Sequence, residues 1–145
     1  ISVATTNQHQ DSGARMIHVG KNTESSIISK SIAKCGGKAD FRGEIRIEKE
    51  ADNSSSIVKC DTLILDEKSS SDAFPIDTVK NKKSNIEHEA TVSKISEEKL
   101  FYLMSRGLSE EEAIDLVVLG FTEEFKKELP MEYAVELNQL LKQNI

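Results

Sequence analysis

The stretch IVKCDTLIL at residues 57–65 indicates β-structure, because apolar and polar residues alternate and then a β-branched, aliphatic run follows. Similar short runs recur through the first 95 residues, separated by clusters of Gly, Asn, Asp and Ser. They are MIHV (16–19), SIIS (26–29), EIRI (44–47) and EATV (89–92). No stretch in this part has a convincing helical period, so the first part of the chain is predicted to consist of short strands.

Two architectures fit many short strands without helices: a sandwich or barrel, and a solenoid. In a solenoid each turn resembles the next, so every strand lies between neighbours. Ile27, Ile45 and Ile64 are spaced by 18 and 19 residues, which is a plausible length for one turn. Three isoleucines do not decide between the two architectures, and both remain open from the pattern alone.

The composition changes near residue 95. Residues 96–145 contain 11 acidic and 5 basic residues, so they carry the whole net charge of −6, whereas residues 1–95 are neutral. Ser and Thr account for 20 of the first 95 residues. This break predicts a strand-built domain at 1–95 and a helical domain at 96–145.

The helical domain has clear start and stop signals. Ser96 can cap a first helix that ends at Gly107, and Ser109 with Glu112 three residues later forms a capping box. Thr122 is a candidate restart of the second helix. Apolar residues at helical spacing are Ala113, Ile114, Val117, Val118 and Phe121, and then, after Pro130, Ala134, Val135, Leu137, Leu140 and Leu141. This apolar stripe either packs as core or is offered to a partner.

Composition excludes several classes of function. No apolar run of about 18 residues exists, which excludes a transmembrane helix, and no signal peptide is visible. The net charge of −6 and the aromatic content of 5% argue against nucleic-acid binding. Two cysteines cannot form a multi-bridge disulfide framework, so a reduced compartment such as the cytoplasm is expected. A start at Ile1 rather than Met indicates a processed chain or a fragment.

The chain lacks nucleotide-binding glycine loops, a GxSxG elbow, HExxH and CxxC, so no motif supports an enzyme activity of its own. The remaining candidates are metal ligands: Cys60, and His88 in the segment Glu87-His88-Glu89, which suit iron, iron–sulfur clusters or zinc. The separation of Cys60 and His88 in the sequence corresponds to one or two solenoid turns. The alternative is a buried hydrophobic Cys and a structural His. In an ideal strand His88 and Glu89 point to opposite faces, so both serve one site only if the strand bends or ends there.

Longer stretches resemble a known family. They are DSGARMIHVGKNTESSIISKSIAK, FRGEIRI, KCDTLIL, FPIDTVKN, IEHEATVSKISEEKLFYLMSRGLSEEEAIDLVVLGF and ELPMEYAVELN. In order and spacing they are similar to the carboxy-terminal half of SufB-type members of the SufB/SufD family of iron–sulfur cluster assembly scaffolds. The resemblance runs through nearly the whole chain from about Asp11.

The resemblance implies a mainly β fold, in which a right-handed parallel β-helix precedes a small carboxy-terminal helical domain. It implies a dimer through the β-helix with SufD or a second copy, and docking of the SufC ATPase through residues 96–145. Sulfur-delivery proteins are implied as further partners, and a nascent, transient iron–sulfur cluster as the bound group. A plastid-type organelle replaces the cytoplasm if the source is a eukaryote.

The resemblance also implies a site. Cys60 aligns with the family's cluster-assembly cysteine, and His88 and Glu89 align with a His and a Glu near the same dimer interface. Cys60 is therefore predicted as a thiolate ligand, with His88 or Glu89 as supplementary ligands or iron-entry groups. The sequence departs from the family at 69–73, where SSSDA replaces a Cys-Gly-Ala-His-Thr segment before Phe-Pro. The MSRGLSEEEA segment is similar to SufD, so a SufD-like structural subunit is the alternative.

Overall fold

The computed structural model describes residues 1–144, which form a parallel β-solenoid followed by four helices. The strands are β1 (Ser2–Ala4), β2 (His9–His18), β3 (Glu24–Ala33), β4 (Lys38–Ile47), β5 (Ser55–Ile64), β6 (Ala73–Val79) and β7 (Asn85–Lys94). The helices are α1 (Glu97–Ser105), α2 (Glu110–Phe121), α3 (Glu123–Lys127) and α4 (Met131–Asn144). Ile145, the last residue of the predicted helical domain 96–145, lies outside the described residues. None of these helices combines the length and the apolar character that a bilayer crossing requires.

The chain alternates between two parallel sheets. Sheet A has the strand order β1-β3-β5-β7, and sheet B has the order β2-β4-β6. Paired residues on neighbouring strands are 29 to 32 positions apart in the sequence. The spacing is 29 for His9 and Lys38 on β2 and β4, and 32 for Phe41 and Ala73 on β4 and β6. This spacing is the length of one turn of the solenoid, and each complete turn contributes one strand to each sheet.

The prediction of a parallel β-helix followed by helices is confirmed, and the sandwich alternative is wrong. The turn length inferred from the isoleucine spacing is also wrong, because Ile27, Ile45 and Ile64 lie on β3, β4 and β5 in succession. These strands alternate between the sheets, so the isoleucine spacing measures a step from one sheet to the other and not a full turn. The strand pattern missed β1 and β6; Pro75 within β6 is tolerated because β6 is an edge strand.

Alternation along the strands separates interior from exterior side chains. On β5, Ser56, Val58 and Cys60 are buried, whereas Ile57 and Lys59 between them are exposed. The space between the two sheets is filled by a core of Ile27, Phe41, Ile45, Ile47, Ala51, Val58 and Cys60. On β4 and β5, which are paired on both sides, an inward apolar position is therefore shielded from water by both sheets, whereas inward positions of the last turn such as Asp77 and Ala90 are exposed.

The helices pack on the outer face of sheet A. Helix α2 begins with the predicted capping box, in which Ser109 and Glu112 each accept a hydrogen bond from the other's backbone N–H. A second core joins helices and sheet: Ile32, Leu63, Val118 and Leu141, with Val3, Leu65, Ile114, Val117, Phe121 and Leu137 around them. The stripe on α2 is thus core, but Val135 and Leu140 of the stripe predicted on α4 are exposed. Thr122 separates α2 from α3, as the sequence indicated.

A buried carboxylate ties successive turns of sheet B together. The Asp40 side chain is only 3% exposed, and its Oδ2 lies 2.7 Å from His9 Nε2 and 3.1 Å from Lys38 Nζ. Its Oδ1 accepts a hydrogen bond of 3.0 Å from the backbone N–H of Asp72. Burial alone would raise the pKa of Asp40, but the hydrogen bonds from these three groups outweigh it and hold the pKa below its ordinary value.

We expect Asp40→Ala to lower the free energy of unfolding at pH 7 by about 2 kcal/mol, because Lys38 and the Asp72 N–H lose a buried acceptor. A carboxyl with a depressed folded-state pKa stabilises the fold above its unfolded pKa of about 3.9, and this contribution disappears as the pH falls through the folded value. In urea titrations, the free energy of unfolding should therefore fall less steeply between pH 7 and pH 3 for the variant than for the wild type. Asp11→Ala, at an exposed ion pair with Arg42, is the control, with a cost below about 1 kcal/mol. The same pH dependence of the free energy of unfolding in wild type and Asp40→Ala would contradict this role.

Candidate functional site

Cys60 is an interior residue of β5. Its side chain belongs to the core between the sheets and the residue is 5% exposed. Burial raises the pKa of the Cys60 thiol to about 11, and the neighbouring Asp61 carboxylate contributes to the same shift. The resting group at neutral pH is therefore a thiol, which must lose its proton before it can bind a metal.

His88 lies on β7 and points to the same interior. It pairs with Val58, a fully buried inward residue of β5, and its side chain is 11% exposed. Its Nδ1 atom lies 3.1 Å from Asp77 Oδ2. The imidazole is thus held between the two sheets, because Asp77 lies on β6 of sheet B.

Cys60 and His88 occupy one face of two adjacent strands. Cys60 pairs with Ala90, so His88 stands two positions away in register. The strand spacing and the rise of two residues place the two Cα atoms about 8 Å apart. The separation of Cys60 and His88 in the sequence therefore spans a single turn, and the fold brings the predicted thiol and imidazole together on the inner face.

Glu89 does not share that face. It pairs with Lys59, an exposed residue of β5, and is itself exposed on the outside of sheet A. Strand β7 continues to Lys94, so it neither ends nor reverses its alternation at Glu89. Among residues 1–144, no group of three or more His, Cys, Asp or Glu side chains is arranged to hold a metal ion. The assignment of Cys60, His88 and Glu89 as ligands stays a prediction.

Two residues near His88 were missed by the sequence reasoning. Asp77 was overlooked because β6 was not recognised as a strand, so its inward alternation could not be assigned. Gly43, on β4 of sheet B, lies against the imidazole, since a Cβ atom placed on Gly43 would be 3.2 Å from His88 Cε1. In the sequence, Asp77 and Gly43 are distinguished only by lying within FPIDTVKN and FRGEIRI, two of the segments that resemble the family.

The other cysteine and histidines lie elsewhere. Cys35 is exposed in the turn between β3 and β4, directly before Gly36-Gly37, with a φ of 53°. His9 pairs with Asp40 on the outer side of sheet B. His18 is buried, with Nδ1 2.6 Å from Thr23 Oγ1 and Nε2 2.8 Å from Ser25 Oγ. These three residues belong to the turns and the polar framework of the solenoid.

The last turn of the solenoid is an apolar, open end. Within residues 1–144, β6 and β7 each pair with a strand on one side only. Large apolar side chains of this turn are exposed: Phe74, Ile76, Val79 and Val92. The edge next to His88 and Asp77 thus combines free strand edges with apolar surface, a combination typical of an interface.

A second exposed apolar surface lies on the helices. Helix α1 has no buried residue, and its Phe101 is 75% exposed. The exposed apolar residues are Phe101, Tyr102 and Met104 on α1, and Met131, Tyr133, Val135 and Leu140 on α4. Both helices therefore offer side chains of the kind that anchor protein–protein contacts.

Comparison with known proteins agrees with this architecture. The family model described as "SUF system FeS cluster assembly, SufBD core domain" matches residues 1–121. The iron-sulfur cluster assembly protein SufB of Bacillus subtilis is 56% identical over 142 residues, which is 98% of this chain and 30% of the relative. Iron-sulfur cluster assembly SufBD family proteins of Staphylococcus epidermidis and Staphylococcus aureus show the same identity and coverage. The chain thus spans about a third of the length of these curated relatives.

Proposed function

The chain belongs to the SufB/SufD family of iron–sulfur cluster assembly proteins, and from that premise we propose that it acts as a scaffold. In this role it holds a nascent iron–sulfur cluster as cargo and is not itself an enzyme. Cys60 supplies a thiolate ligand, His88 supplies a nitrogen ligand, and Glu89 on the outer face receives incoming iron. Sulfur reaches the site from separate delivery proteins.

The observation that carries this proposal is the shared inner face of Cys60 and His88. A soft thiolate and an imidazole, one turn apart on the inner face, form a donor pair suited to iron, with Cys60 buried and His88 partly buried at the open end. The open end of the solenoid lies beside them. A second copy of the chain, or SufD, docks on the exposed β6–β7 edge and completes the ligand set.

The helices are the proposed docking site for the SufC ATPase. The exposed aromatic residues of α1 and α4 support this assignment. A connection to the site also exists: Lys30, packed 4.9 Å from the ring of Phe121, lies 2.6 Å from Asp61, the residue after Cys60. We propose that a movement of the helices caused by the ATPase reaches β5 through this contact.

A SufD-like structural subunit is the alternative. It is favoured by the burial of Cys60 as a thiol with a pKa of about 11 and by the outward position of Glu89. Such a subunit binds SufC through the helices and forms the dimer, but it holds no cluster alone. Its cluster content is then independent of Cys60 and His88.

The test is anaerobic reconstitution of the full-length protein with iron and sulfide, followed by metal analysis of the dimer. We expect His88→Ala to retain less than about one tenth of the iron that the wild type retains. Removing a hydrogen-bond partner of a metal ligand already weakens metal binding about 10–100-fold, and removing the ligand itself should weaken it at least as much. His9→Ala is the matched control, since His9 lies on the outer side of sheet B. Glu89→Gln, measured in parallel, should slow iron loading without changing the final content. Equal iron content in His88→Ala and wild type, including no iron in either protein, would contradict the His88 assignment and favour the SufD-like alternative.

A further inference from the structure

The last turn of the solenoid contains a carboxylate–imidazole pair built from both sheets. Asp77 pairs with Ile45, which is fully buried, and so lies on the inward face of β6, where its side chain remains 30% exposed at the open end of the solenoid. His88 points inward from β7. The two side chains meet with His88 Nδ1 at 3.1 Å from Asp77 Oδ2 and 3.4 Å from Oδ1.

This contact places the Nδ1 atom of His88, and not its Nε2 atom, against a carboxylate. An ionised carboxylate only accepts hydrogen bonds, so a neutral imidazole facing it must donate from Nδ1–H. The lone pair is then on Nε2, the nitrogen left free for a metal ion. Metal-binding histidines commonly have such a carboxylate on the other nitrogen, which fixes the ring and raises its basicity.

Gly43 provides the room for this ring orientation. A Cβ at residue 43 would lie 3.2 Å from His88 Cε1 and 3.6 Å from Nε2, and 3.2 Å from a ring carbon of Phe41. The edge of the imidazole that includes Nε2 therefore lies over a position without a side chain. Any larger residue would press on this edge of the ring.

From these contacts we infer that Asp77 is a positioning residue, which holds His88 as the Nδ1–H tautomer with Nε2 available to iron. The role in iron binding rests on the proposed function, whereas the tautomer is a property of the apo protein. Asp77 itself needs no contact with the metal. Asp77 should therefore affect two properties: the tautomer of His88 in iron-free protein, and the affinity of the protein for iron.

The experiment is histidine-selective ¹⁵N NMR of the metal-free full-length protein, with ferrous iron binding measured on the same samples. We expect His88 to be the Nδ1–H tautomer in wild type. Asp77→Ala should give a tautomer mixture and roughly 10–100-fold weaker iron binding. Asp77→Asn, which preserves the side-chain shape, should fall between the two, because an amide oxygen accepts less strongly than a carboxylate. Asp115→Asn, on α2, is the control and should match wild type.

An unchanged His88 tautomer in folded Asp77→Ala and Asp77→Asn would overturn the inference. A different result would contradict the proposed function. In that case His88→Ala would bind iron like wild type, while the Asp77 variants would still alter the tautomer of His88. Gly43→Ala adds an independent check, since crowding should broaden or shift the His88 signals while Asp77 remains intact. Absence of any change in the His88 signals of that variant would argue against close packing of the imidazole on Gly43.

Discussion

Cys60→Ser is expected to abolish retention of an assembled cluster on the reconstituted dimer. Cys60 is the inward-facing cysteine of the described chain, and a hydroxyl is a poor substitute for a thiolate toward iron. Loss of a direct ligand should exceed the roughly 10–100-fold effect of outer-shell changes, so visible absorption and sulfide content should fall by more than about tenfold. The measurement is iron, sulfide and absorbance on the dimer peak after anaerobic reconstitution of the full-length protein.

Cys35→Ser is the matched control for this experiment. It makes the same chemical change at an exposed turn residue outside the solenoid interior. Wild-type cluster content in Cys35→Ser together with loss in Cys60→Ser would support the ligand assignment. Equal loading of both variants, or no loading of any protein, would refute it and leave the SufD-like structural role.

Phe101→Asp is expected to weaken binding of SufC by about thirtyfold or more, the effect of removing one aromatic anchor worth about 2 kcal/mol. Phe101 is 75% exposed on a helix without buried residues, so a charge there should leave the fold intact. Tyr133→Asp tests α4 in the same way, since Tyr133 is 62% exposed. Isothermal calorimetry with purified SufC gives the affinities, and thermal unfolding verifies the fold.

Val19→Asp is the control for these helix variants. Val19 is an apolar residue of the solenoid that is 65% exposed, comparable to Phe101 and Tyr133. It should bind SufC with wild-type affinity. If Phe101→Asp and Tyr133→Asp also bind like wild type, the docking surface lies elsewhere.

Local chemistry made parts of this fold predictable. The capping box of Ser109 and Glu112 involves positions three apart, so the sequence contains everything that forms it. The alternation that places His88 and Glu89 on opposite faces is equally local. Turn length was not predictable in this way, because the partner of each strand lies a full turn away along the chain and no nearby spacing records it.

The candidate site was predictable only in part for the same reason. Cys60 and His88 are unusual residue types, so chemistry and resemblance both drew attention to them. Asp77 is an ordinary residue type whose importance comes from pointing inward on an edge strand that contains Pro75. On α4, helical spacing could not distinguish Leu141, which reaches the sheet, from Leu140, which remains exposed.

The repetitive architecture has a consequence for access to the buried thiol. Each turn of a solenoid contacts only its neighbours, so stability is nearly one-dimensional and opening can be confined to a terminal repeat. Asp77 and His88 belong to the final repeat, and Cys60 belongs to the repeat beneath it. Fraying of β6 and β7 alone would uncover the thiol while the rest of the core stays folded. Amide hydrogen exchange should accordingly be faster in these two strands than in β4 and β5, which are paired on both sides.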